Sequence, residues 1–254
     1  MATVGLHYPT RHIALITLDN PPVNTLSWES RAALIDVLGE LDANLDVRCA
    51  VVTGAGHVFT AGADLREDQI MHVDQVPAFV EEFERICSGF ELLRAPIIGA
   101  INGPAVGGGL EIALACDIRI AASTATFVAA GVNVGLMANF WRLARVVGLG
   151  PAKEILLTGE HYSAAQALGW GLVTEVCAPD ELMTRAMAKA ERIASRAPLS
   201  VEATKRAVHD APTLDAAQAN ERQITNLMEL FAKDDHREAL RAFFAGTNGD
   251  YHRK

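Results

Sequence analysis

The sequence predicts an α/β fold, because segments typical of strands alternate with segments typical of amphipathic helices through about residue 125. Half of the 254 residues are hydrophobic and 21% are charged, which allows a sizeable core. Beyond that point the pattern becomes mainly helical. We therefore expect a strand-and-helix core followed by a helical C-terminal region.

Five segments have the short apolar or alternating pattern of strands, and six have the apolar spacing of helices. The stretch Ser163–Gln166 has the residues of a helix capping box, and Thr126–Asn139 fits neither pattern. The predicted strands are His12–Asn20, 49–56, 96–103, 117–123 and 172–177. The predicted helices are Ser27–Asn44, Val76–Leu93, 107–116, 180–195, 199–230 with a break near Pro212, and 234–244.

The overall charge and the cysteine spacing exclude several classes of protein. A net charge of −9 disfavours binding to nucleic acid or to an anionic membrane surface. The N-terminal stretch "MATVGLHYPT" has neither a basic start nor an apolar run, so no signal peptide is expected. No two cysteines form a CxxC pair, and we predict reduced core cysteines, no metal site and a cytoplasmic location. These cysteines are Cys49, Cys87, Cys116 and Cys177.

Three glycines precede a single acid in "GPAVGGGLEIALACD" (Gly103–Asp117). They fall at the predicted start of a buried helix, where backbone N–H groups lack helical partners. Without a Cβ, such residues let a ligand oxygen reach donors that can stabilise a developing oxyanion. Glu111 follows closely, and a donor beside a carboxylate can move a proton next to a carbonyl group. A tightly packed turn with a solvated acid has the same pattern, and the motif alone does not separate the two.

A second loop rich in small residues, "GAGHVFTAGADLRED" (Gly54–Asp68), follows the predicted strand "CAVVT". Two such loops, each placed after a strand, can supply two N–H donors to one oxygen. Neither loop has the GxGxxG spacing or the GKS/T ending of a phosphate-binding loop. The pair therefore favours a carbonyl oxygen over a phosphate as the ligand.

Four stretches, in this order, resemble the enoyl-CoA hydratase/isomerase (crotonase) superfamily. They are "VVTGAGHVFTAGADLRE", "APIIGAINGPAVGGGLEIALACDIRIA", "LLTGEHYSAAQALGWGLVTEV" and "FAKDDHREALRAFF". The resemblance covers nearly the whole chain and implies a spiral of ββα units over residues 1–195. It further implies that residues 196–254 form a helical region that builds trimers, often paired into hexamers. An acyl-CoA thioester is the implied substrate or ligand, with no permanently bound cofactor.

The resemblance also implies roles for single residues. The backbone N–H groups of Ala63 and Gly108 match the family's oxyanion hole, and Glu111 matches a catalytic acid. Phe243 matches a C-terminal aromatic residue of the family that covers the adenine of CoA from a neighbouring subunit. A phenylalanine at this position is equally typical of an ordinary core or interface residue. Contacts to CoA are implied for Val23, Leu26, Ala61, Asp64, Leu65 and Arg66.

The sequence departs from the family pattern at a second acid. Hydratases of this family resemble each other in a segment "F-G-Q-P-E-…-G", where this chain has "FVAAGVNVGLMANFWRLARVVG". Aligning Phe127 and Gly135 places Gly131 at the position of the acid, and Ala130 at that of the proline. The chain is thus expected to keep Glu111, to lack its partner acid, and to hydrate enoyl-CoA poorly.

Nearby polar residues leave alternatives open. Glu67 and Asp68 either swing into the site or are solvated loop charges. Asn133, Asn139 and Trp141 either line a reshaped acyl pocket or are packing and surface residues.

Two classes of function remain after these steps. The first is an enzyme that acts on an acyl-CoA through a stabilised enolate, with Glu111 as its sole acid/base. The second is a non-catalytic acyl-CoA-binding or carrier protein on the same scaffold. The presence of Glu111 favours the enzyme, and Gly131 favours the carrier.

Overall fold

A six-stranded sheet forms the centre of the computed structural model, which describes residues 3–137 and 140–254. The strands are β1 Thr3–Thr10, β2 Ile13–Asp19, β3 Thr25–Leu26, β4 Cys49–Gly54, β5 Gly62–Ala63, β6 Ile97–Ile101, β7 Ala105–Val106, β8 Ile118–Ala122, β9 Thr126–Val128, β10 Tyr162–Ser163 and β11 Glu175–Cys177. The central sheet has the order β1-β2-β4-β6-β8-β11. Its first pair is antiparallel, and the other pairs are parallel.

Helices follow the strands in a repeating order. The helices are α1 Trp28–Ala43, α2 Leu65–Asp68, α3 Val76–Leu92, α4 Gly108–Ala115, α5 Phe140–Val147, α6 Leu149–Thr158, α7 Ala164–Gly169, α8 Leu182–Ala194, α9 Pro198–Asp210, α10 Ala216–Phe231 and α11 Asp234–Ala245. Short 3-10 helices occupy Val73–Gln75, Ala130–Val134 and Ala211–Thr213. Three successive units, β2-β3-α1, β4-β5-α3 and β6-β7-α4, each contain a long strand, a short strand and a helix. The predicted α/β spiral of ββα units is confirmed.

The short strands form a second layer that brings separate turns of the spiral together. β3 pairs with β5, and β7 pairs with β9, each in parallel. A single bridge between Thr60 and Ala105 connects these two small sheets. The chain segments that leave β5 and β7 therefore run side by side, although more than 40 residues of chain separate them.

Most of the predicted elements are confirmed, including their ends. The side chain of Ser27 accepts a hydrogen bond from the Ser30 amide at the start of α1, and Ser163 and Gln166 form the predicted capping box of α7. The break near Pro212 is the 3-10 helix between α9 and α10. The segment that fitted neither pattern holds β9 and a 3-10 helix, and 138–139 lie outside the described residues. Strand β1 was not predicted.

The core has two parts, one on each face of the central sheet. On one face, α1, α3 and α4 pack against alternate residues of the long strands, including Ile16, Val52 and Ile97. On the other face, α8 covers residues such as Val51 and Ile98. Buried parallel strands read as continuous apolar runs, which explains why they were recognisable in the sequence. All four cysteines are buried free thiols, as expected for core residues.

The C-terminal helices contact the core unequally. Helix α9 is anchored by the buried Lys205, whose Nζ lies 2.8 Å from a carboxylate oxygen of Asp117. Every side chain of α10 is exposed or half-buried. The exposed apolar residues of α10 and α11 are Ile224, Leu227, Met228, Phe231, Leu240, Phe243 and Phe244. Across the described residues, no helix is both long enough and apolar enough to cross a membrane.

Candidate active site

The backbone amides of Ala63 and Gly108 lie close together where β5 and β7 end. A Cβ built on Gly108 would lie 3.5 Å from the Ala63 nitrogen, and one built on Gly62 would lie 2.6 Å from the Gly108 nitrogen. The arrangement is held by Thr60, whose carbonyl accepts a hydrogen bond from the Val106 amide at 3.1 Å. The structure thus brings together the two backbone groups that the sequence analysis paired.

Gly62 is required at this position for two reasons. Its φ is +79°, a conformation that residues with a Cβ rarely adopt. A Cβ there would also meet the carbonyl oxygen of Val106 at 2.5 Å. Close approach of the two loops therefore depends on a residue without a side chain.

We expect Gly62→Ala to destabilise the protein by more than the roughly 1–3 kcal/mol of a strained backbone alone. Gly56→Ala is the matched control, because Gly56 also has a positive φ, +66°, but nothing lies within 4 Å of a Cβ built there. Urea denaturation of both variants measures the difference. Equal losses of unfolding free energy would show that the two loops do not need this close contact.

Glu111 lies in the first turn of α4, next to this pair of amides. It is half-buried, and the rest of the helix after Gly108 is buried. Burial raises the pKa of the Cys87 thiol on α3, and the negative charge of Glu111 raises that pKa further. The half-buried carboxylate therefore lies near enough to α3 to influence Cys87. It is not the freely solvated first-turn acid of the alternative interpretation.

Two residues of α3, Phe83 and Cys87, complete the surroundings of the amides and the carboxylate, and the sequence analysis missed both. Phe83 packs close to Gly108: a Cβ built on Gly108 would lie 2.5 Å from the Phe83 ring. They lie one helical turn apart on the buried face of an amphipathic helix. That spacing marks them as buried but does not indicate what they contact.

The predicted CoA-binding segment is assembled around β3 and β5. The Ala61 amide donates to the Val23 carbonyl at 3.0 Å, and Leu26 is paired with Ala63. Leu26 is 1% exposed, so its side chain is core and only its backbone can face a ligand. Val23 is partly exposed at the start of this segment.

Asp64 and Arg66, which follow β5, form a local ion pair. Asp64 accepts a hydrogen bond from the Arg66 amide at the start of α2, and its carboxylate lies 2.6 Å from the Arg66 guanidinium. The Arg66 hydrogen bond lowers the pKa of Asp64 below its usual value. The Arg66 side chain is 81% exposed, and Leu65 beside it is also exposed. A solvent-facing cation thus lies at the edge of the site.

Both interpretations of Glu67 were wrong. Its carboxylate accepts a hydrogen bond from the Trp28 amide at 2.8 Å and forms an ion pair with Arg31 at 2.9 Å. The side chain is 15% exposed, so it is neither a solvated charge nor free to swing into the site. The side chain of Asp68 lies outside the part of the molecule that the structure describes.

The segment expected to carry a second acid lies beside the start of α4. The Cβ of Ala130 is 4.0 Å from a Cβ built on Gly107, the N-cap of that helix. Gly131 belongs to the 3-10 helix Ala130–Val134, so its φ is negative. The segment that contains Gly131 therefore adjoins the N-cap of the helix that carries Glu111, and Gly131 as the position of the second acid stays a prediction.

Asn133 and Trp141, further along this segment, make contacts with residues other than those of the paired-amide site. The Asn133 side chain donates to the Gly159 carbonyl at 2.8 Å, which makes it a packing residue at the end of α6. The Trp141 ring stacks on the guanidinium groups of Arg142 and Arg145. Asn139 lies outside the described residues. The packing interpretation is thus confirmed for Asn133.

A cavity of about 1190 Å³ lies elsewhere, between the end of α4 and the C-terminal helices. Trp141, Lys205, Phe243 and Tyr251 are among its lining residues, whereas Ala63, Gly108 and Glu111 are not. Phe243 is 78% exposed on α11. Its role towards a neighbouring subunit stays a prediction.

The spiral of ββα units defines the crotonase class of folds, and comparison with known proteins agrees with it. The crystal structure of an enoyl-CoA hydratase from Bacillus anthracis is similar with a TM-score of 0.96 and 32% identity, covering 99% of both chains. The sequence pattern of the enoyl-CoA hydratase/isomerase family matches residues 10–253. The chain therefore belongs to the enoyl-CoA hydratase/isomerase family.

Two relatives carry names that state a substrate. A short-chain-enoyl-CoA hydratase of Clostridium acetobutylicum is 36% identical over 236 residues, which are 91% of this chain and 90% of the relative. An (E)-benzylidenesuccinyl-CoA hydratase of Thauera aromatica is 41% identical over 203 residues, 78% of this chain and 79% of the relative. Both names are those of hydratases that act on a CoA thioester.

Proposed function

We propose that this protein is an enzyme that acts on acyl-CoA thioesters through a stabilised enolate. The amides of Ala63 and Gly108 donate to the thioester oxygen, and Glu111 is the sole acid/base. The observation that carries this proposal is the convergence of two backbone N–H groups from separate loops, with a half-buried carboxylate in the adjacent helical turn. The names of the relatives support the same class of ligand.

The chemistry follows from where charge develops. When a nucleophile adds to the β-carbon of an enoyl thioester, the electron pair of the double bond moves towards the thioester oxygen. Two N–H donors that are already in place stabilise that oxygen more than they stabilise the neutral carbonyl. In hydration, Glu111 would take a proton from the attacking water as its oxygen bonds to the β-carbon, and one proton must be delivered to the α-carbon so that the enzyme returns to its starting protonation state.

Delivery of the proton to the α-carbon is the step at which this chain would differ from an efficient hydratase. With Gly131 at the position of the second acid, no carboxylate delivers a proton to the α-carbon from that side. The loss of a general acid lowers a rate by about 10²- to 10⁴-fold. We therefore propose that hydration is slow, and that isomerisation, lyase or decarboxylation chemistry is open to the same enolate. The hydratase names of the relatives favour an enzyme over the non-catalytic carrier.

The CoA moiety would lie along the exposed edge of β3, β5 and α2. Ala61, Asp64 and the backbone of Leu26 shape this edge, with Val23 and Leu65 as exposed apolar contacts. The solvent-facing guanidinium of Arg66 is available to a CoA phosphate. Phe243 would cover the adenine from a neighbouring subunit. The thioester is the substrate, and no resident cofactor is part of the proposal.

A panel of acyl-CoA thioesters of increasing chain length, measured for both heat of binding and turnover, tests the proposal. Binding with turnover of at least one thioester supports the enzyme. Binding without any turnover supports the carrier, and no heat of binding at high micromolar thioester excludes both. A single-stranded oligonucleotide is the negative control, because a chain of net charge −9 should not bind it.

We expect a trimer or a pair of trimers in solution. The exposed apolar stripe of α10, which includes Leu227 and Phe231, needs burial against another copy. Light scattering at micromolar protein should give three or six times the chain mass of 27.2 kDa. Leu227→Asp should lower that mass, whereas Thr225→Asp adds the same charge on the opposite side of the helix and should not. A wild-type mass of one chain would contradict the expectation.

A further inference from the structure

We propose that Arg31 is a positioning residue that holds both halves of the paired-amide site in register. This proposal rests on the proposed function, because it concerns the amides of Ala63 and Gly108. Arg31 is 0% exposed, so it does not touch a ligand directly. Its guanidinium instead contacts the chain behind Ala63 and the helix that packs against Gly108.

On the Ala63 side, Arg31 is bound to β3, the partner strand of β5, and to α2, the helix that follows β5. Its Nη1 donates to the Leu26 carbonyl at 2.7 Å and to the Glu67 carboxylate at 2.9 Å. Leu26 is the residue paired with Ala63. Glu67 lies four residues after Ala63 in the chain. Strand β5 has only two residues, so few other backbone contacts define where the Ala63 amide points.

On the Gly108 side, Arg31 is bound to helix α3. Its Nε forms an ion pair with Glu82, and its Cζ lies 5.2 Å and 5.7 Å from the ring centroids of Phe79 and Phe83. Phe83 is the ring that packs directly on Gly108. The buried guanidinium of Arg31 therefore connects the loop of the Ala63 amide to α3, the helix that packs on Gly108.

The energetics favour a positioning role over a purely stabilising one. Burying a charged group costs free energy that its ion pairs often fail to offset. In addition, the Arg31 Nη2 is buried without an acceptor among the described residues. The Arg31 guanidinium is therefore expected to add little to the free energy of folding. It does define a geometry, because a planar guanidinium bonded on two edges leaves little freedom to its partners.

The experiment compares Arg31→Met with Arg94→Met. Arg94 is a matched control, because it is also largely buried, pairs with Glu202 at 2.7 Å, binds the carbonyls of Asn44 and Val47, and has an unpaired Nε. These contacts involve none of the residues around Ala63 or Gly108. Thermal melts, kcat, KM and the infrared carbonyl stretch of a bound, isotope-labelled acyl-CoA thioester are measured for both variants.

Arg31→Met should lower kcat by about tenfold to a hundredfold, since misplacement of a reacting group by 1 Å costs that much. KM should change by less than about threefold, because CoA contacts at the exposed edge remain. The shift of the thioester carbonyl to lower frequency should shrink, because the two donors no longer meet the oxygen together. Arg94→Met should lose comparable thermal stability and keep the kcat and the carbonyl shift of the parent.

Two further variants keep the test decisive if Arg31→Met does not fold. Glu67→Gln keeps an acceptor for the Trp28 amide but removes the ion pair, and it should reduce the carbonyl shift partially. Arg31→Lys should restore part of the shift relative to Arg31→Met. A parent-like shift and kcat in Arg31→Met or in Glu67→Gln, or an equal loss in Arg94→Met, would overturn the positioning role. If the parent itself shows no carbonyl shift with any thioester, the proposed function fails instead.

Discussion

Replacing Glu111 by alanine should lower kcat by about 10²- to 10⁴-fold, the usual contribution of a general acid or base. The two amide donors are backbone groups on other residues, so the thioester should still bind, with an affinity within a few-fold of the parent. Steady-state kinetics with the best substrate of the panel, together with calorimetric binding, measures both quantities. A fall in kcat with retained affinity is the signature of a group that acts in the reaction and not in ground-state binding.

Glu29→Ala is the control for this experiment. Glu29 is also an acid in the first turn of a helix, α1, but it is exposed and belongs to no part of the site. If Glu111 served only the dipole of its helix, both variants would lose similar stability and neither would lose kcat. Retention of parental kcat by Glu111→Ala would remove Glu111 from the proposed mechanism.

The second expected result concerns Gly131, the position proposed for a second acid. Gly131→Glu should raise the kcat of crotonyl-CoA hydration by about tenfold or more, towards the contribution of a general acid. The Ala130–Gly131 segment adjoins the start of α4, so a new carboxylate there would lie beside the helix that carries Glu111. The negative φ of a 3-10 helix also means that the new side chain meets no left-handed backbone strain.

Val132→Glu is the control, because Val132 lies in the same 3-10 helix and is 40% exposed. It adds the same charge without a predicted role, and its hydratase kcat should equal that of the parent. Thermal melts of both variants establish folding before kinetics are compared. If the parent already hydrates crotonyl-CoA at some tens of turnovers per second, a general acid is already present, and the sole-acid account is wrong.

The sequence determined the elements of the core because their signals are local. The long strands of the sheet are continuous apolar runs, and the helices begin at residues such as Ser27 and Ser163 whose side chains cap them. The two glycine-rich loops predicted backbone amides that can donate to a ligand oxygen, and the four resembling stretches implied the family. Strand β1 was not predicted, although Val4, Leu6 and Tyr8 occupy alternate positions as in a half-buried strand.

Only the tertiary structure decided which residues surround the amides. Arg31 and Glu67 are 36 residues apart and each reads as an ordinary surface charge, yet they form a buried ion pair. Phe83 reads as one more apolar residue of an amphipathic helix, yet its ring packs on Gly108. Periodicity and caps are properties of a few neighbouring residues, whereas these contacts depend on how separate turns of the spiral stack. Burial of a charge, and the partner that makes burial possible, are set by that stacking and not by local sequence.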